Sequence, residues 1–256
     1  MTDHRIHLNL ATTAAILVGG IAVSAIVSTV VAARAYKLRG EQLTRNEKTI
    51  VVKGSARKRI RSDRAVWQIR VEGENKQMQE AFKILESGVQ RVRAFLEQHK
   101  FVAQEIGLGA IDTNVHYVTD QHGQATRDVA SYTLSRTFFV TTGDVDRVMQ
   151  AAGQVTQLIQ DGVLVISQSP AYYYSDPSPL KVELMGVASK DARGRAEEIA
   201  RSAGCKLGQV RAAYMGVLQI TRPFSTDVSA EGIYDVSTID KDAQAVVTVT
   251  FQIVDE

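Results

Sequence analysis

Residues Ala65–Lys100 read AVWQIRVEGENKQMQEAFKILESGVQRVRAFLEQHK, and their hydrophobic period changes partway along. From Ala65 to Glu72 apolar and polar residues alternate, and a period of two is typical of a half-buried strand. From Asn75 to Lys100 the apolar residues recur at spacings of three and four, which indicates a long amphipathic helix. A strand followed at once by a helix predicts an α+β fold.

The same two periods recur on both sides of this stretch. Strands are predicted at Thr49–Ala56, Ile111–Tyr117, Tyr132–Val140, Val163–Ser167, Val210–Ile220 and Val247–Ile253, and further helices at Asp144–Gly162 and Leu180–Ala203. Asp120–Asp128 would form a long hairpin connection, and Pro177 and Pro179 would break regular structure ahead of the last helix. This order predicts one α+β domain over residues 49–256, with helices packed on one face of a largely antiparallel sheet.

The N-terminal region predicts a membrane anchor. Leu8–Ala33, LNLATTAAILVGGIAVSAIVSTVVAA, carries no charged residue, and about 20 apolar residues suffice for a helix to cross a bilayer. We expect a short tail at residues 1–7, a single transmembrane helix at 8–33 and a polar juxtamembrane stalk at 34–48. A cleaved signal peptide is the alternative, because Ala33-Arg34-Ala35 has the small-x-small form of a cleavage site.

The orientation of this helix stays open. More Lys and Arg follow the helix than precede it, which would leave the domain in the cytoplasm, but long domains are translocated largely regardless of charge. Within the helix, Gly20, Ser24, Ser28 and Ala32 recur every four positions and share one face. Such a face lets two helices approach closely, so it is a candidate oligomer interface, although the anchor could simply be rich in small residues.

Composition and motifs indicate no catalytic chemistry. Lys and Arg number 30 against 28 Asp and Glu, so no global charge favours a nucleic-acid partner. Cys205 is the only cysteine, which excludes an intrachain disulfide and leaves a small packed residue or a redox-sensing thiol. His116 and His122 flank the predicted hairpin tip and could meet, but exposed histidines are the simpler interpretation. Metal, nucleotide and hydrolase motifs are absent, so we expect no catalytic residue, no cofactor and no metal.

Two clusters offer surfaces for a partner. Tyr172, Tyr173 and Tyr174 precede a proline-rich turn and form a second candidate oligomer interface, although alternate rings could face the core. A basic turn is predicted between the first two strands. It could contact lipid headgroups or a polyanion, or be merely solvated, and it contains Lys53, Arg57, Lys58, Arg59, Arg61 and Arg64.

Several short motifs, in order, resemble the SIMPL domain family of bacterial envelope proteins, which includes the periplasmic immunogenic protein and the oxidative-stress-defence proteins. The motifs are VKGSA from Val52, Ser62-Asp63, Ser131-Tyr132, Asp161-Gly162-Val163, ASKDARGRAEEIA from Ala188, and AGCKLG from Ala203. The resemblance covers about Thr49 to Val254. It implies an exported α+β domain without assigned catalytic residues, associated in some branches with hollow, ring-like homo-oligomers and with envelope stress.

The leading functional hypothesis is a non-enzymatic scaffold that assembles with copies of itself. It would sit in the bacterial inner membrane through Leu8–Ala33, as a single-pass protein with its soluble domain in the periplasm. The alternative is a ligand-binding or sensor module, monomeric or dimeric, with a cleft near Tyr172–Tyr174. An unrecognised hydrolase has only scattered His, Ser and Asp in its favour.

Overall fold

The computed structural model describes residues 19–20, 23–37 and 48–255. The helices are α1 (residues 23–37), α2 (Met78–Gln98), α3 (Val145–Gln154) and α4 (Pro177–Ser202), with 3₁₀ turns at Ala103–Glu105 and Val155–Ile159. The strands are β1 (Thr49–Arg61), β2 (Arg64–Asn75), β3 (Ile106–Thr119), β4 (Ala125–Thr142), β5 (Leu164–Ser167), β6 (Ala171–Tyr173), β7 (Cys205–Met215), β8 (Gln219–Thr221) and β9 (Asp240–Asp255).

The chain divides into two compact units. The larger unit comprises Lys53–Ala192 and Tyr214–Val247, and the smaller comprises Arg193–Ala213, Thr248–Glu256 and the described part of Met1–Val52. In the smaller unit the backbone N–H of Ile253 donates to the carbonyl of Lys48 at 2.9 Å. The functional features below all lie in the larger unit, apart from α1 and Cys205.

A five-stranded antiparallel sheet organises the larger unit. Its order is β3-β4-β2-β5, and β6 also pairs with β2. On β2 the alternation predicted from the sequence is confirmed, because Trp67, Ile69 and Val71 are fully buried and point to one face. Phe138 lies opposite Ile69 on β4, so the two central strands supply one continuous apolar face.

Helix α2 covers that face, as its period predicts. Its buried stripe is Ala81, Leu85, Gly88, Val89, Val92, Phe95 and Leu96. The helix lies very close to β2, because a Cβ on Gly73 would meet the carbonyl of Ala81 and would lie 2.5 Å from the backbone nitrogen of Leu85. Asp144 caps α3 by accepting a hydrogen bond from the N–H of Arg147 at 3.0 Å.

The second sheet has the order β1-β9-β7, and β8 pairs with β9. Helix α4 packs closely against β1, since a Cβ on Gly54 would meet the carbonyl of Ala188 and would lie 2.7 Å from the Cβ of Ala192. The alanines on one face of α4 are buried, at Ala188, Ala192, Ala196 and Ala200, whereas Val187 and Ile199 are about half exposed. Small side chains on both elements allow this close approach.

The structure corrects four details of the predicted fold. The strands form two antiparallel sheets instead of one. The basic residues up to Arg61 belong to β1 and not to a turn, and the strand predicted over Val210–Ile220 is divided between β7 and β8. Helix α4 begins at Pro177, because the first turn of a helix does not use the N–H that proline lacks.

Much of the predicted N-terminal organisation lies outside the described residues. This applies to the tail at 1–7, to residues 8–18 and 21–22 of the predicted anchor, and to residues 38–47 of the predicted stalk. Among the described residues, no helix combines the length and the apolar character that a membrane span requires.

Candidate functional site

The hairpin formed by β3 and β4 extends beyond the sheet that carries it. Strand β2 ends at Asn75, opposite Tyr132, whereas β3 and β4 continue to pair from Val115–Tyr132 out to Thr119–Ala125. Residues 115–132 are termed the hairpin arm. Among the described residues, the part of the arm beyond Tyr132 has only its own two strands to pair with.

A compact turn closes the arm. The carboxylate of Asp120 accepts hydrogen bonds from the backbone N–H groups of His122 at 2.8 Å and Gln124 at 2.9 Å, and Gly123 adopts φ +77°. The loop expected over Asp120–Asp128 is therefore shorter than predicted, because β4 already begins at Ala125. The pairing shifts register between His116 and Tyr117, which marks a β-bulge.

One face of the arm is apolar, packed against the core at its base through Tyr132 and exposed toward its tip. Val115 lies opposite Tyr132 and Tyr117 lies opposite Val129, and directly opposed residues share a face. Farther in, Leu134 on the same face is buried, whereas Tyr117 is 49% exposed and Val129 is 39% exposed. The stripe Val115, Tyr117, Val129 and Tyr132 is termed the arm stripe. It continues the apolar core face of the sheet into solvent.

Helix α2 adds apolar surface near the base of the arm. It begins at Met78, three residues after Asn75, the partner of Tyr132. Met78 and Phe82 are four residues apart, hence neighbours on the helix surface, and both are more than two-fifths exposed.

In the described part of the chain, His116 and Cys205 make separate local contacts. The Nε2 atom of His116 lies 2.9 Å from the hydroxyl of Thr133. Cys205 is half-buried and its Sγ lies 3.6 Å from the carbonyl of Ala203. Across the part of the chain that the structure describes, no group of three or more His, Cys, Asp or Glu residues could hold a metal ion.

The tyrosine cluster is partly a core feature. Tyr172 of β6 is buried and lies opposite Ala65 of β2, and burial raises the pKa of its hydroxyl. Tyr173 and Tyr174 are half-buried. A fourth tyrosine joins them, because the hydroxyl of Tyr234 accepts from the N–H of Tyr174 at 2.9 Å and donates to its carbonyl at 2.5 Å. The role of the three consecutive tyrosines as an interface stays a prediction.

The small-residue face also stays a prediction. Ser24, Ser28 and Ala32 lie on α1 and are exposed, and Gly20 is helical and exposed. The spacing of Ser24, Ser28 and Ala32 places these three on one side of α1.

Ion pairs within the chain neutralise most of the basic cluster on β1. Lys58 pairs with Glu183 at 2.7 Å, Arg59 with Asp242 at 2.5 Å and Arg61 with Asp146 at 2.6 Å. The hydrogen bond from Arg59 is the largest influence on Asp242, and together with the Phe224 N–H and nearby positive charges it holds the pKa of that carboxyl below its ordinary value despite burial. This pairing argues against a site for a large polyanion.

A buried lysine is the polar group that sequence reasoning missed. Lys241 is fully buried and its ammonium donates to the carbonyls of Asp235 at 2.6 Å and Thr238 at 2.7 Å. Burial lowers the pKa of Lys241, and the negative charge of Asp235 partly opposes this. The signal was present in the sequence, because Lys241 continues the inward alternation of Ala243, Ala245 and Val247.

Comparison with protein families identifies the family of the chain. The family model named SIMPL, described as a protein of unknown function (DUF541), matches residues 50–251. No curated protein matches the chain.

Proposed function

The chain belongs to the SIMPL family, whose description assigns no function, and we propose that it acts by self-association. In this proposal it is a non-enzymatic protein of the bacterial envelope that forms a ring-like or hollow homo-oligomer. Residues 8–33 hold it in the inner membrane, and its α+β domain lies in the periplasm. The resemblance noted in the sequence supports the envelope location and a link to envelope or oxidative stress.

The hairpin arm carries this proposal. A two-stranded hairpin is at best marginally stable alone in water, yet this arm extends past β2 with half-exposed Tyr117 and Val129 on one face. An apolar stripe that continues a core face is the surface that a partner would cover. Aromatic residues such as Tyr117 and Tyr132 are enriched at protein interfaces.

A second copy is the partner that the sheet topology favours. Within the described residues the five-stranded sheet ends in two unlike edges, β3 on one side and the short strands β5 and β6 on the other. Leu164 and Ile166 of β5 are each about half exposed. A contact from the β3 edge of one copy to the β5 edge of the next would be heterologous, and such contacts give rings when the rotation closes.

The first test is the mass of the protein in solution. Light scattering coupled to size exclusion would be applied to the full chain in detergent and to residues 49–256 alone. We expect one large, discrete species from both, with the domain driving assembly. Monomers or dimers from both would contradict the proposal and favour the ligand-binding alternative.

Charge substitutions test the role of the arm stripe. Tyr117→Lys and Val129→Lys place a charge on the stripe without touching a buried residue, so we expect the large species to dissociate while the far-ultraviolet circular dichroism is unchanged. Val187→Lys is the matched control, because Val187 is 51% exposed on α4. Assembly by the two arm variants at the parent's mass would remove the arm from the interface.

A further inference from the structure

A cavity of about 400 Å³ opens beside the first turn of α4. Its walls come from that turn and from two segments of the chain between β7 and β9, residues 217–220 and 231–234. The volume lies within the range of roughly 300–1,000 Å³ that small-molecule sites occupy. The arm stripe contributes no residue to it.

Hydrogen bonds hold the two segments in place. The side-chain amide of Gln219 accepts from the N–H of Ile233 at 2.8 Å and donates to the carbonyl of Ser229 at 2.7 Å. The N–H of Ile220 donates to the carbonyl of Ile233 at 2.8 Å, and the carbonyl of Ile220 accepts from Asp235 at the same distance. The cavity is therefore formed before any ligand arrives.

A close backbone approach shapes one wall. Gly232 has φ +91°, and a Cβ there would lie 2.6 Å from Cγ1 of Val217. Glycine is required at this position both by the left-handed backbone and by the absence of space.

The lining combines an apolar interior with one unpaired cation. Ile220 is buried and, with Val217 and Ile233, supplies apolar surface. Lys181 and Ser178 line the cavity from the first turn of α4. Within the described residues the Lys181 ammonium has no hydrogen-bond or ion-pair partner. The first turn of α4 holds no acidic residue, and Asp176 just ahead of it accepts from the N–H of Ser178 at 3.1 Å, which leaves the Ser178 hydroxyl for a ligand.

The remaining charge in the cavity is Glu231. Ser229 donates to its carboxylate at 2.6 Å, and this hydrogen bond is the largest cause of the lowered pKa of Glu231. An ionised Glu231 repels a second carboxylate, so an anionic head group would favour the α4 side of the cavity.

We propose that this cavity binds a small amphipathic monocarboxylate, with a straight apolar chain against Ile220 and its carboxylate directed to Lys181 and Ser178. Octanoate represents this class. The Lys181 ammonium supplies a charge-assisted hydrogen bond, and the apolar walls receive the hydrocarbon chain.

Three probes with the same hydrocarbon chain separate the contribution of the head group. Octanoate, 1-octanol and octylammonium would be titrated into the full-length protein in a non-ionic detergent, with thermal stability and heat of binding as readouts. Because the three hydrocarbon chains are alike but the head groups partition differently into micelles, responses are compared at equal free concentrations of the probes. We expect octanoate alone to raise the melting temperature in a saturable way.

Matched lysine variants test the head-group contact. Lys181→Met should weaken octanoate binding by about tenfold or more, the usual cost of losing a hydrogen bond to a charged group. Lys190→Met removes another exposed lysine of α4 and should leave the affinity unchanged. Leu218→Trp should fill the cavity and abolish binding while Lys181 is retained, and its melting temperature without ligand shows whether it is folded.

Several outcomes would overturn the proposal. These are equal stabilisation by octanoate and 1-octanol, equal octanoate affinity in the Lys181→Met and Lys190→Met variants, and no saturable response to octanoate at millimolar concentration. The oligomeric mass of each sample would be recorded alongside, so a failure here is distinct from a failure of self-association.

Discussion

Gly54 lies where the backbone of α4 approaches β1. A Cβ at this position would lie 2.7 Å from the Cβ of Ala192 and would also meet backbone atoms of Ala188 and Ala192, which cannot rotate away. We therefore expect Gly54→Ala to lower the free energy of unfolding by about 1–3 kcal/mol, the cost of overpacking. Urea unfolding followed by circular dichroism measures the change.

Gly186, on the helix α4 that packs against Gly54, provides the control. A Cβ there would meet nothing within 4 Å, so Gly186→Ala should stabilise by roughly 0.5–1 kcal/mol through the helix propensity of alanine. A Gly54→Ala variant as stable as the parent would mean that α4 does not lie where the structure places it.

The carboxyl of Asp242 predicts a dependence on pH. Its pKa in the folded chain is lowered, chiefly by the hydrogen bond from Arg59, from an ordinary value of 3.8. Such a group stabilises the fold above its unfolded pKa, and the stabilisation is lost as the pH falls through the folded pKa. Asp242→Asn should therefore lower the free energy of unfolding at neutral pH and flatten its decline in acid.

Urea titrations between about pH 2 and pH 7 would measure this difference. Glu97→Gln is the control, since Glu97 is an exposed carboxylate on α2. If the free energies of unfolding of the parent and of Asp242→Asn declined in parallel as the pH fell, the pair with Arg59 would contribute nothing to stability.

At the level of elements, we expect assembly to slow hydrogen exchange at the backbone amides of the hairpin arm. Its amides have few neighbours beyond the partner strand, so we expect residues 116–131 to exchange hydrogen quickly in a dilute, dissociated sample. In the assembled state the same amides should exchange slowly, while those of β2 stay protected in both. Hydrogen exchange followed by mass spectrometry measures these rates. Identical exchange rates for the arm in the dilute and the assembled samples would contradict a role of the arm in assembly.

Some elements were predictable because their apolar residues are periodic. Helix α2 and strand β2 have long, regular patterns, and their bounds fall within a few residues of the prediction. Strands β6 and β8 have three residues each, too few to show a period of two. The end of β1 was not predictable, because it carries the charged residues Lys58 and Arg59. Their partners Glu183 and Asp242 lie more than 100 positions away along the chain.

For the whole molecule, self-association predicts a melting temperature that depends on protein concentration. Partner copies that bind only the folded chain stabilise it by mass action. The parent should melt at a higher temperature as its concentration rises, and Tyr117→Lys should lose this dependence. Differential scanning calorimetry over a hundredfold concentration range checks it, and a constant melting temperature for the parent would argue against assembly.

The division into two sheets depends on pairing between distant parts of the chain, which local patterns do not reveal. Strands β1 and β2 are separated only by Ser62 and Asp63, yet β1 pairs with the C-terminal β9 and β2 pairs with β4. The cavity beside α4 was equally unpredictable, since it joins Lys181 to residues 217–234. Tyr172, Tyr173 and Tyr174 do not line this cavity. Tyr234 does line it, and Tyr234 is hydrogen-bonded to Tyr174.

The acylation rate of Lys241 is a probe of local opening in the chain around it. Its amine is fully buried and engaged by two carbonyls, so an acylating reagent can reach it only when residues 235–238 release it. Lys190 is exposed, so its reaction with the reagent needs no opening step. The ratio of the two labelling rates therefore reports how often this loop opens in the purified protein.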